Sequence, residues 1–491
     1  NGPGNLSLSG SKLTATNGYV NLTGGSGINL TNGNISAQND ITINASNGGV
    51  TISGKNGGAG MAKITSTAGN ITVSGDATVT GEKAGINLNN VNMTAQAGSI
   101  TVNGVGKTLD YSGDSGGILL NGKVLFQSKE NTLNGTYNGP ANYDSYYQSG
   151  GLSVGQDADV HFKGDTTINA TSQKGGRFST GIHLNSNGKM SFDDGTANVN
   201  AVGGLMMESF TDWLSVPEFH VNNATLNLNA SSSDWIAFAT LSDYGYFTDA
   251  SEDSGYKFTG NGNINIKGVS GSDYGVQIRH FNNEGLTGNF SVTGISDSGP
   301  GVIVDKNANV VLHNATITGI SKTGTGIQFN AGAQSTNKAH QVNLNGNTLT
   351  GISGTGTGIN INGNNVTITN GSLNGTSNGT GAGVQLTGGT NYTVDGATVQ
   401  GSSQAGSGVS VGGNLTVNNA TVNGSTATGS GVDIGGSLNT SNTSITGNAS
   451  GNGSGVSLHG NITGDAADKN VITGHASQGN GLLVSGDAVA A

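Results

Sequence analysis

Two short groups of carboxylates are the side chains of this sequence best suited to acid–base chemistry. Asp157 and Asp159 lie two residues apart, and Asp193 and Asp194 are adjacent. Carboxylate pairs held several ångströms apart cleave glycosidic bonds in enzymes that act on polysaccharides. Short aspartate pairs are also common at β-turns, where the side chain bonds the local backbone. We therefore predict no catalytic residue and keep a polysaccharide-degrading enzyme as an alternative function.

Metal binding is the next chemistry to consider, and the acidic stretch 241–258 is the place to look for it. This stretch lacks the Asp-x-Asp-x-Asp-Gly frame and the closing glutamate of a calcium loop. The eight histidines are scattered singly without ligand spacing, and we predict surface positions for His183 and His280. The sequence predicts no metal site and no cofactor.

Aromatic residues are concentrated in one part of the chain. Both tryptophans, nine of the 11 tyrosines and 11 of the 12 phenylalanines fall between Tyr111 and Phe290. Phenylalanines within alternating apolar–polar runs are predicted to point inward and fill the core. They are Phe162, Phe192, Phe219, Phe238, Phe258 and Phe290.

Three long segments of the same region, 138–148, 207–217 and 241–258, depart from the surrounding pattern and are predicted to be loops. Loops on a rigid scaffold commonly carry binding sites, and exposed aromatic rings can stack on the faces of sugars. Neighbouring carboxylates can accept hydrogen bonds from sugar hydroxyls. The alternative is that the rings fold back onto the scaffold. The predicted ligand-binding residues are Tyr143, Tyr146, Tyr147, Trp213, Trp235, Asp243, Tyr244, Tyr246 and Asp249.

The scaffold that would position these residues is visible as a repeat. A glycine followed by an apolar-x-apolar triplet recurs along the chain, for example at Gly408 and at Gly431. Between these two glycines lie three short alternating runs, too short for helices and separated by small polar residues. Further glycines of this kind are Gly85, Gly117, Gly151, Gly181, Gly204, Gly275, Gly301, Gly326, Gly358, Gly383, Gly455 and Gly481. In one turn Trp235 takes the place of the glycine.

A repeat of this length with three short strands predicts an all-β fold, a parallel β-helix or solenoid. We expect about 20–26 residues per turn, about 18 turns in all, and turns nearer 20 residues in the first 80 residues. Glycine and asparagine are predicted at the corners because they tolerate positive φ. The chain divides into regular repeats at 1–110, a β-helix with loop insertions at 111–290, and repeats of about 25 residues at 291–491.

Composition restricts the class of partner. The chain has 88 glycines, no cysteine, only 10% charged residues and a net charge of −11, which argues against nucleic-acid binding. No apolar run is long enough to span a bilayer, so membrane insertion is not expected. The absence of cysteine is typical of exported bacterial proteins. The pattern begins in mid-repeat at Asn1, and we expect this sequence to be part of a longer chain.

Two phrases near the amino-terminal end carry a family resemblance. The run Asp40-Ile-Thr-Ile-Asn-Ala and the run Gly69-Asn-Ile-Thr-Val-Ser-Gly resemble the haemagglutinin repeats of two-partner secretion exoproteins, the filamentous haemagglutinin and high-molecular-weight adhesin family. The resemblance implies a right-handed β-helix, export from a Gram-negative bacterium through an outer-membrane transporter partner, and a secreted or cell-surface location. It further implies adhesion to host cells, as in virulence factors. Contact-dependent inhibition proteins share these repeats.

Within that family the asparagine-rich texture is most like the glycosylated adhesins. The implied glycosylation positions are the Asn-x-Ser/Thr sites Asn223, Asn314, Asn414 and Asn419. The predicted function is a secreted adhesin that attaches to a host cell-surface glycan or glycoprotein through the loops of its middle third, with another bacterial surface protein as a further partner. Two alternatives remain, the polysaccharide-degrading enzyme and a passive spacer within a larger exoprotein.

Overall fold

The structure is a computed structural model in which every regular element of the described residues is a β-strand. None of the described residues belongs to a helix that could span a membrane. The residues described are 4–55, 60–80, 82–107, 115–140, 149–173, 179–209, 216–242, 256–278, 281–304, 314–330, 340–343, 346–464 and 468–490.

The chain forms two compact units, each described here by itself. Unit 1 comprises Asn1–Lys267 with Asn282–Asn289, and unit 2 comprises Gly268–Phe281 with Phe290–Ala491. The strands up to the end of the first segment of unit 1 are β1 Asn5–Ser9, β2 Lys12–Ala15, β3 Val20–Gly24, β4 Gly27–Thr31, β5 Asn34–Ala37, β6 Ile41–Ala45, β7 Val50–Ser53, β8 Ala62–Ser66, β9 Ile71–Asp76, β10 Ala84–Ala95, β11 Ser99–Gly106, β12 Ser115–Tyr137, β13 Ser149–Val154, β14 Asp159–Ser172, β15 Ser179–Leu184, β16 Lys189–Val202, β17 Leu205–Ser209, β18 Glu218–Ser232, β19 Phe238–Ser242, β20 Tyr256–Gly260 and β21 Asn263–Ser270.

The remaining strands are shorter and more regularly spaced. They are β22 Val276–Ile278, β23 Phe281–Asn282, β24 Phe290–Ser296, β25 Val302–Val304, β26 Ala315–Ser321, β27 Ile327–Asn330, β28 His340–Asn343, β29 Thr348–Ser353, β30 Ile359–Asn362, β31 Val366–Thr369, β32 Ser372–Ser377, β33 Val384–Thr387, β34 Asn391–Asp395, β35 Thr398–Ser403, β36 Val409–Val411, β37 Asn414–Asn418, β38 Thr421–Thr426, β39 Val432–Ile434, β40 Leu438–Ser441, β41 Ser444–Ala449, β42 Val456–Leu458, β43 Ile462–Gly464, β44 Val471–Ala476, β45 Leu482–Val484 and β46 Ala488–Ala490. In unit 2, seven of them form a separate sheet in the order β28-β31-β34-β37-β40-β43-β46.

One ladder of parallel strand pairs in each unit confirms the β-helix and its repeat. Each apolar residue of the ladder pairs with the corresponding residue of the next turn, and the described residues of each unit supply nine such rungs. In unit 1 the rungs are Leu6, Ile28, Val50, Ile86, Ile118, Leu152, Ile182, Leu205 and Phe238. In unit 2 they are Val276, Val302, Ile327, Ile359, Val384, Val409, Val432, Val456 and Leu482.

The turn lengths differ from the prediction in unit 1. The first two turns, from Leu6 to Ile28 and from Ile28 to Val50, are short and equal in length, but the next rung is Ile86 and closes a much longer turn. The long turns accommodate extra residues outside the ladder while the strands keep their register. The prediction that Trp235 replaces the glycine is wrong, because Phe238 pairs with Leu205 and Ala237 therefore occupies that position.

The core of the middle turns contains stacked phenylalanines. Phe126, Phe162 and Phe192 occupy one register position, with ring centroids 4.9 and 5.2 Å apart and ring planes 4° and 11° apart. Such small angles mean that the three rings are stacked nearly parallel to one another. The six phenylalanines predicted to be core residues are all buried, which confirms the alternation from which they were inferred.

Most of the repeated glycines that precede an apolar triplet owe their position to close packing, whereas positive φ occurs at corner glycines such as Gly388 (78°) and Gly396 (62°), as predicted. A Cβ built on Gly424 would lie 1.8 Å from the carbonyl oxygen of Gly431, and the pair Gly401 and Gly408 is equally tight at 1.9 Å. Two strands of the same turn meet at this point, and only hydrogen fits between them. Asparagine does fill corners with positive φ, for example Asn419 with φ 46°.

In unit 2 a buried hydroxyl links each turn from Ser321 to Thr426 to the preceding turn, whereas Ala449 and Ala476 occupy this position in the last two turns. The Oγ of Ser321 donates to the carbonyl oxygen of Gly299 (2.7 Å) and accepts from the backbone N–H of Gly324 (2.8 Å). Equivalent hydroxyls on later turns belong to Ser353, Ser377, Ser403 and Thr426. These bonds satisfy backbone groups that the turn would otherwise bury without partners.

Candidate functional site

Most of the predicted ligand-binding residues lie outside the described residues, as does His280. They are Tyr143, Tyr146, Tyr147, Trp213, Asp243, Tyr244, Tyr246 and Asp249. The exception is Trp235, a half-buried residue whose backbone N–H donates to the Oγ of Ser232 (3.1 Å). The predicted binding surface of the loops is therefore still a prediction. The strands of the same region carry a second group of candidate residues.

Four consecutive strand pairings bring ionisable side chains into one column on the outer surface of unit 1. Outward and inward residues alternate along each strand, as in Lys123-Val-Leu-Phe-Gln of β12, where Val124 and Phe126 are buried. Because the strands are parallel and in register, the first outward residues stack with alternating charge. The members of this charge column are Lys123, Asp159, Lys189, Glu218 and Lys257.

Short polar contacts hold the acidic members of the charge column in place. The Nε2 of His161 lies 2.7 Å from Oδ1 of Asp159, and the Nζ of Lys123 lies 3.7 Å from its Oδ2. On the next rungs the Nζ of Lys189 lies 3.4 Å from Oε1 of Glu218.

Glu218 also accepts a hydrogen bond from the hydroxyl of Thr259, and His220 Nδ1 lies 2.8 Å from the same hydroxyl. These groups are partly exposed, so each pair stabilises the fold by about 1 kcal/mol or less. Lys257 is exposed beside Glu218 in the column. The column thus offers both cations and carboxylates on a surface supported by buried phenylalanines.

The carboxylate pairs considered for catalysis are divided between corners and this surface. Asp157 and Asp194 occupy corners with φ of 58° and 61°. The Oδ1 of Asp157 accepts a hydrogen bond from Nδ2 of Asn187 (2.8 Å). Asp159 belongs to the charge column, and Asp193 pairs in register with Lys163 of the neighbouring strand. Asp157 and Asp194 are thus turn residues, which was the alternative to a catalytic role for these aspartate pairs.

His183 is buried, and its predicted surface position is wrong. The imidazole and the carboxylate of Glu208 are both fully inaccessible, with Nε2 and Oε2 3.7 Å apart. Burial lowers the pKa of His183 to about 3, because the protonated ring would lose its hydration. The residue is the middle member of an Ile-His-Leu triplet, whose middle position faces outward in most turns. In the turns at Leu119, Ser153, Met206 and Ala239 this position is also buried.

Ser153, His183 and Glu208 are neighbours on adjacent strands, an association that the sequence did not indicate. A serine, a histidine and a carboxylate together could in principle form a nucleophilic set. All three are fully buried, so a substrate has no access to them in this arrangement. Ser115, the central residue of a Gly-x-Ser-x-Gly pattern at 113–117, is fully buried as well. We assign no catalytic role to any of these residues.

The predicted glycosylation positions fall into two structural groups. Asn223, Asn314 and Asn419 are exposed corner residues with φ between 46° and 51°. Asn414 begins strand β37, where its Nδ2 donates to Oδ1 of Asn391 (3.1 Å) and its Oδ1 accepts from the N–H of Ser437 (2.8 Å). The corner asparagines are therefore better placed for modification.

No protein-family model, no curated protein and no solved structure matches this chain. The resemblance to haemagglutinin repeats rests on the runs that begin at Asp40 and Gly69.

Proposed function

We propose that this protein is a secreted bacterial adhesin in which the middle third of the chain contacts a host glycan or glycoprotein. The observation that carries the proposal is the charge column, which lies in the region where the sequence concentrates its aromatic residues and long loops. A β-helix supports such a surface well, because each turn is fixed by its neighbours and the binding groups need little further ordering.

The chemistry of the charge column suits a polar, extended ligand. Carboxylates such as Asp159 accept hydrogen bonds from sugar hydroxyls, and Lys189 and Lys257 attract sulfate, sialic acid or acidic side chains. The groups recur with the strand spacing of about 4.8 Å, so several of them can contact one ligand along its length. Export through an outer-membrane transporter and a surface location belong to the same proposal.

Binding of the chain to a glycan array and to cultured host cells tests the proposal. We expect a double reversal, Asp159→Lys with Glu218→Lys, to weaken binding about tenfold or more, because it removes both carboxylates that accept hydrogen bonds from sugar hydroxyls. Trp213→Ala and Tyr244→Ala test the loop contribution separately. The matched control is Asp433→Lys, which reverses a partly exposed carboxylate paired with His459 in unit 2 (3.3 Å).

The second candidate is a passive spacer, and the regularity of unit 2 favours it. Successive turns there repeat the same close glycine pair, and the turns from Ser321 to Thr426 repeat the same buried hydroxyl. If wild-type chain binds cells but none of the middle-third variants changes that binding, adhesion does not reside in this region and the proposal fails. If the wild-type chain binds neither cells nor glycans, the spacer function is favoured.

A further inference from the structure

A second outward face of unit 1 carries an uninterrupted ladder of side-chain amides. The Nδ2 of Asn134 donates to Oδ1 of Asn103 (2.9 Å), and Asn169 donates in the same way to Asn134 (3.0 Å). The Nδ2 of Asn200 donates to Oδ1 of Asn169 (3.0 Å), and the Nδ2 of Asn229 donates to Oδ1 of Asn200 (3.2 Å).

A parallel column two residues earlier on each strand has the same character. Thr101, Thr132 and Thr167 stack in register and are followed by Asn198 and Asn227, with Nδ2 of Asn227 donating to Oδ1 of Asn198 (2.9 Å). We call the two columns together the amide face. Its members are Thr101, Asn103, Thr132, Asn134, Thr167, Asn169, Asn198, Asn200, Asn227 and Asn229.

The amide face is rigid and uncharged. Between its two columns lie inward residues that are completely buried, among them Leu133, Ile168 and Val199. Each ladder amide uses one N–H and one lone pair within the ladder, which leaves one donor and one acceptor per rung for an external partner. None of the ten members is ionisable, so an interaction there would not depend on charge.

We propose that the amide face binds the surface of a stacked, N-acetylated polysaccharide of the chitin type. Its ladder repeats with the strand spacing, about 4.8 Å, as asparagine ladders do in other stacked parallel strands. Polymer chains that bear acetamido groups and stack through N–H···O=C bonds repeat at nearly the same distance, because the same hydrogen-bond geometry sets it. Donors and acceptors on the two surfaces therefore coincide rung after rung.

Repetition makes such binding specific for a solid surface. One rung contributes only a weak pair of hydrogen bonds, whereas five rungs on a rigid face add without further loss of conformational freedom. The strands that carry these rungs pair in parallel register from turn to turn, which keeps the rungs aligned. A soluble monosaccharide meets a single rung and gains little. This inference is independent of the proposed adhesin function and of the charge column.

Sedimentation of the full chain with crystalline chitin tests the inference, with crystalline cellulose as the comparison lattice. We expect the chain to sediment with chitin, to bind cellulose at least tenfold less, and to be unaffected by free N-acetylglucosamine or by raised salt. The variant Asn134→Thr with Asn169→Thr removes two consecutive amides but keeps residues that favour strands, and should weaken chitin binding about tenfold.

The charge-column variant Asp159→Lys with Glu218→Lys is the control and should bind chitin like the wild type. Circular dichroism and Tm of both variants separate loss of binding from loss of fold. Failure of the wild type to bind chitin, equal binding to cellulose, salt-sensitive binding, or unchanged binding of a folded Asn→Thr variant would each overturn the inference. The cell-binding assay of the adhesin proposal is unaffected by these outcomes.

Discussion

The stability of unit 1 depends on pH because the imidazole of His183 is buried in its neutral form. In the unfolded chain the ring has its ordinary pKa of 6.5, whereas burial lowers the pKa to about 3 in the fold. Below pH 6.5 the unfolded chain binds a proton that the folded chain does not, so stability is complete above this pH and falls towards pH 3. The full loss is about 5 kcal/mol.

Urea unfolding at a series of pH values measures this effect, with hydrogen exchange to locate it in the turns around His183. The variant His183→Gln should flatten the dependence of stability on pH between 6.5 and 3. His475→Gln, which changes an exposed histidine of unit 2, should leave it as in the wild type. Identical pH profiles for wild type and His183→Gln would show that the ring does not resist protonation.

Among the asparagines, hydrogen bonding should decide which side chains can be modified. Asn419 is an exposed corner residue whose Oδ1 accepts from Nδ2 of Asn442 (2.9 Å), whereas the amide of Asn414 both donates and accepts within its ladder. Treating the folded chain with a soluble asparagine glycosyltransferase should therefore give higher occupancy at Asn419 than at Asn414. Glycopeptide mass spectrometry measures both sites, and a chain modified while unfolded in urea is the control. Equal occupancy in the folded chain would contradict the expectation.

At the scale of the elements, the glycine pair of each turn controls how closely two strands approach. In Gly424→Ala the new methyl group would collide with the backbone of Gly431, so one of the strands must move and its ladder bonds weaken. We expect the free energy of unfolding to fall by about 3 kcal/mol, as for severe overpacking. Urea unfolding gives the value. Gly412→Ala, where the nearest atom is 3.3 Å away, is the milder control, and equal losses in both variants would refute this explanation.

The strand elements explain which parts of the structure could be predicted from the sequence. Alternation of apolar and polar residues sets which side chains point inward, so the ladder from Val302 to Leu482 and the buried Phe162 followed directly. The burial of outward residues could not be predicted in this way, because it depends on whether other parts of the chain cover them. His183 has the same alternation as exposed residues and is nevertheless buried.

The charge column and the amide face could not be predicted from the sequence for a similar reason. Each of Lys123, Asp159 and Lys189 can be recognised as an outward residue from its own strand. Their alignment depends on turns of unequal length, which the irregular repeats of unit 1 do not reveal. Position within a strand is thus a local property, whereas stacking between turns is set by register and by the loops between them.

At the scale of the whole molecule, the repeated register makes the turns of unit 2 nearly interchangeable. Ile359, Val384, Val409 and Val432 are successive rungs of one ladder, and each turn bonds only to the turns before and after it. In such a solenoid, stability is close to a sum of the contributions of single turns and of their interfaces. Deleting or inserting whole turns should therefore leave the fold intact.

Deletion of 384–408 tests this expectation, because it removes one whole turn and brings Val409 to the position of Val384 opposite Ile359. The shortened chain should keep its β circular dichroism and a cooperative unfolding transition, with stability lowered by no more than one turn's contribution. Deletion of only 384–395 is the control, and it should fail to fold in this unit because every later residue would lose its register. The proposed binding through the middle third should be unchanged by the whole-turn deletion, whereas a binding site within 384–408 would be lost with it. Misfolding of the whole-turn deletion would show that the turns of unit 2 depend on more than their immediate neighbours.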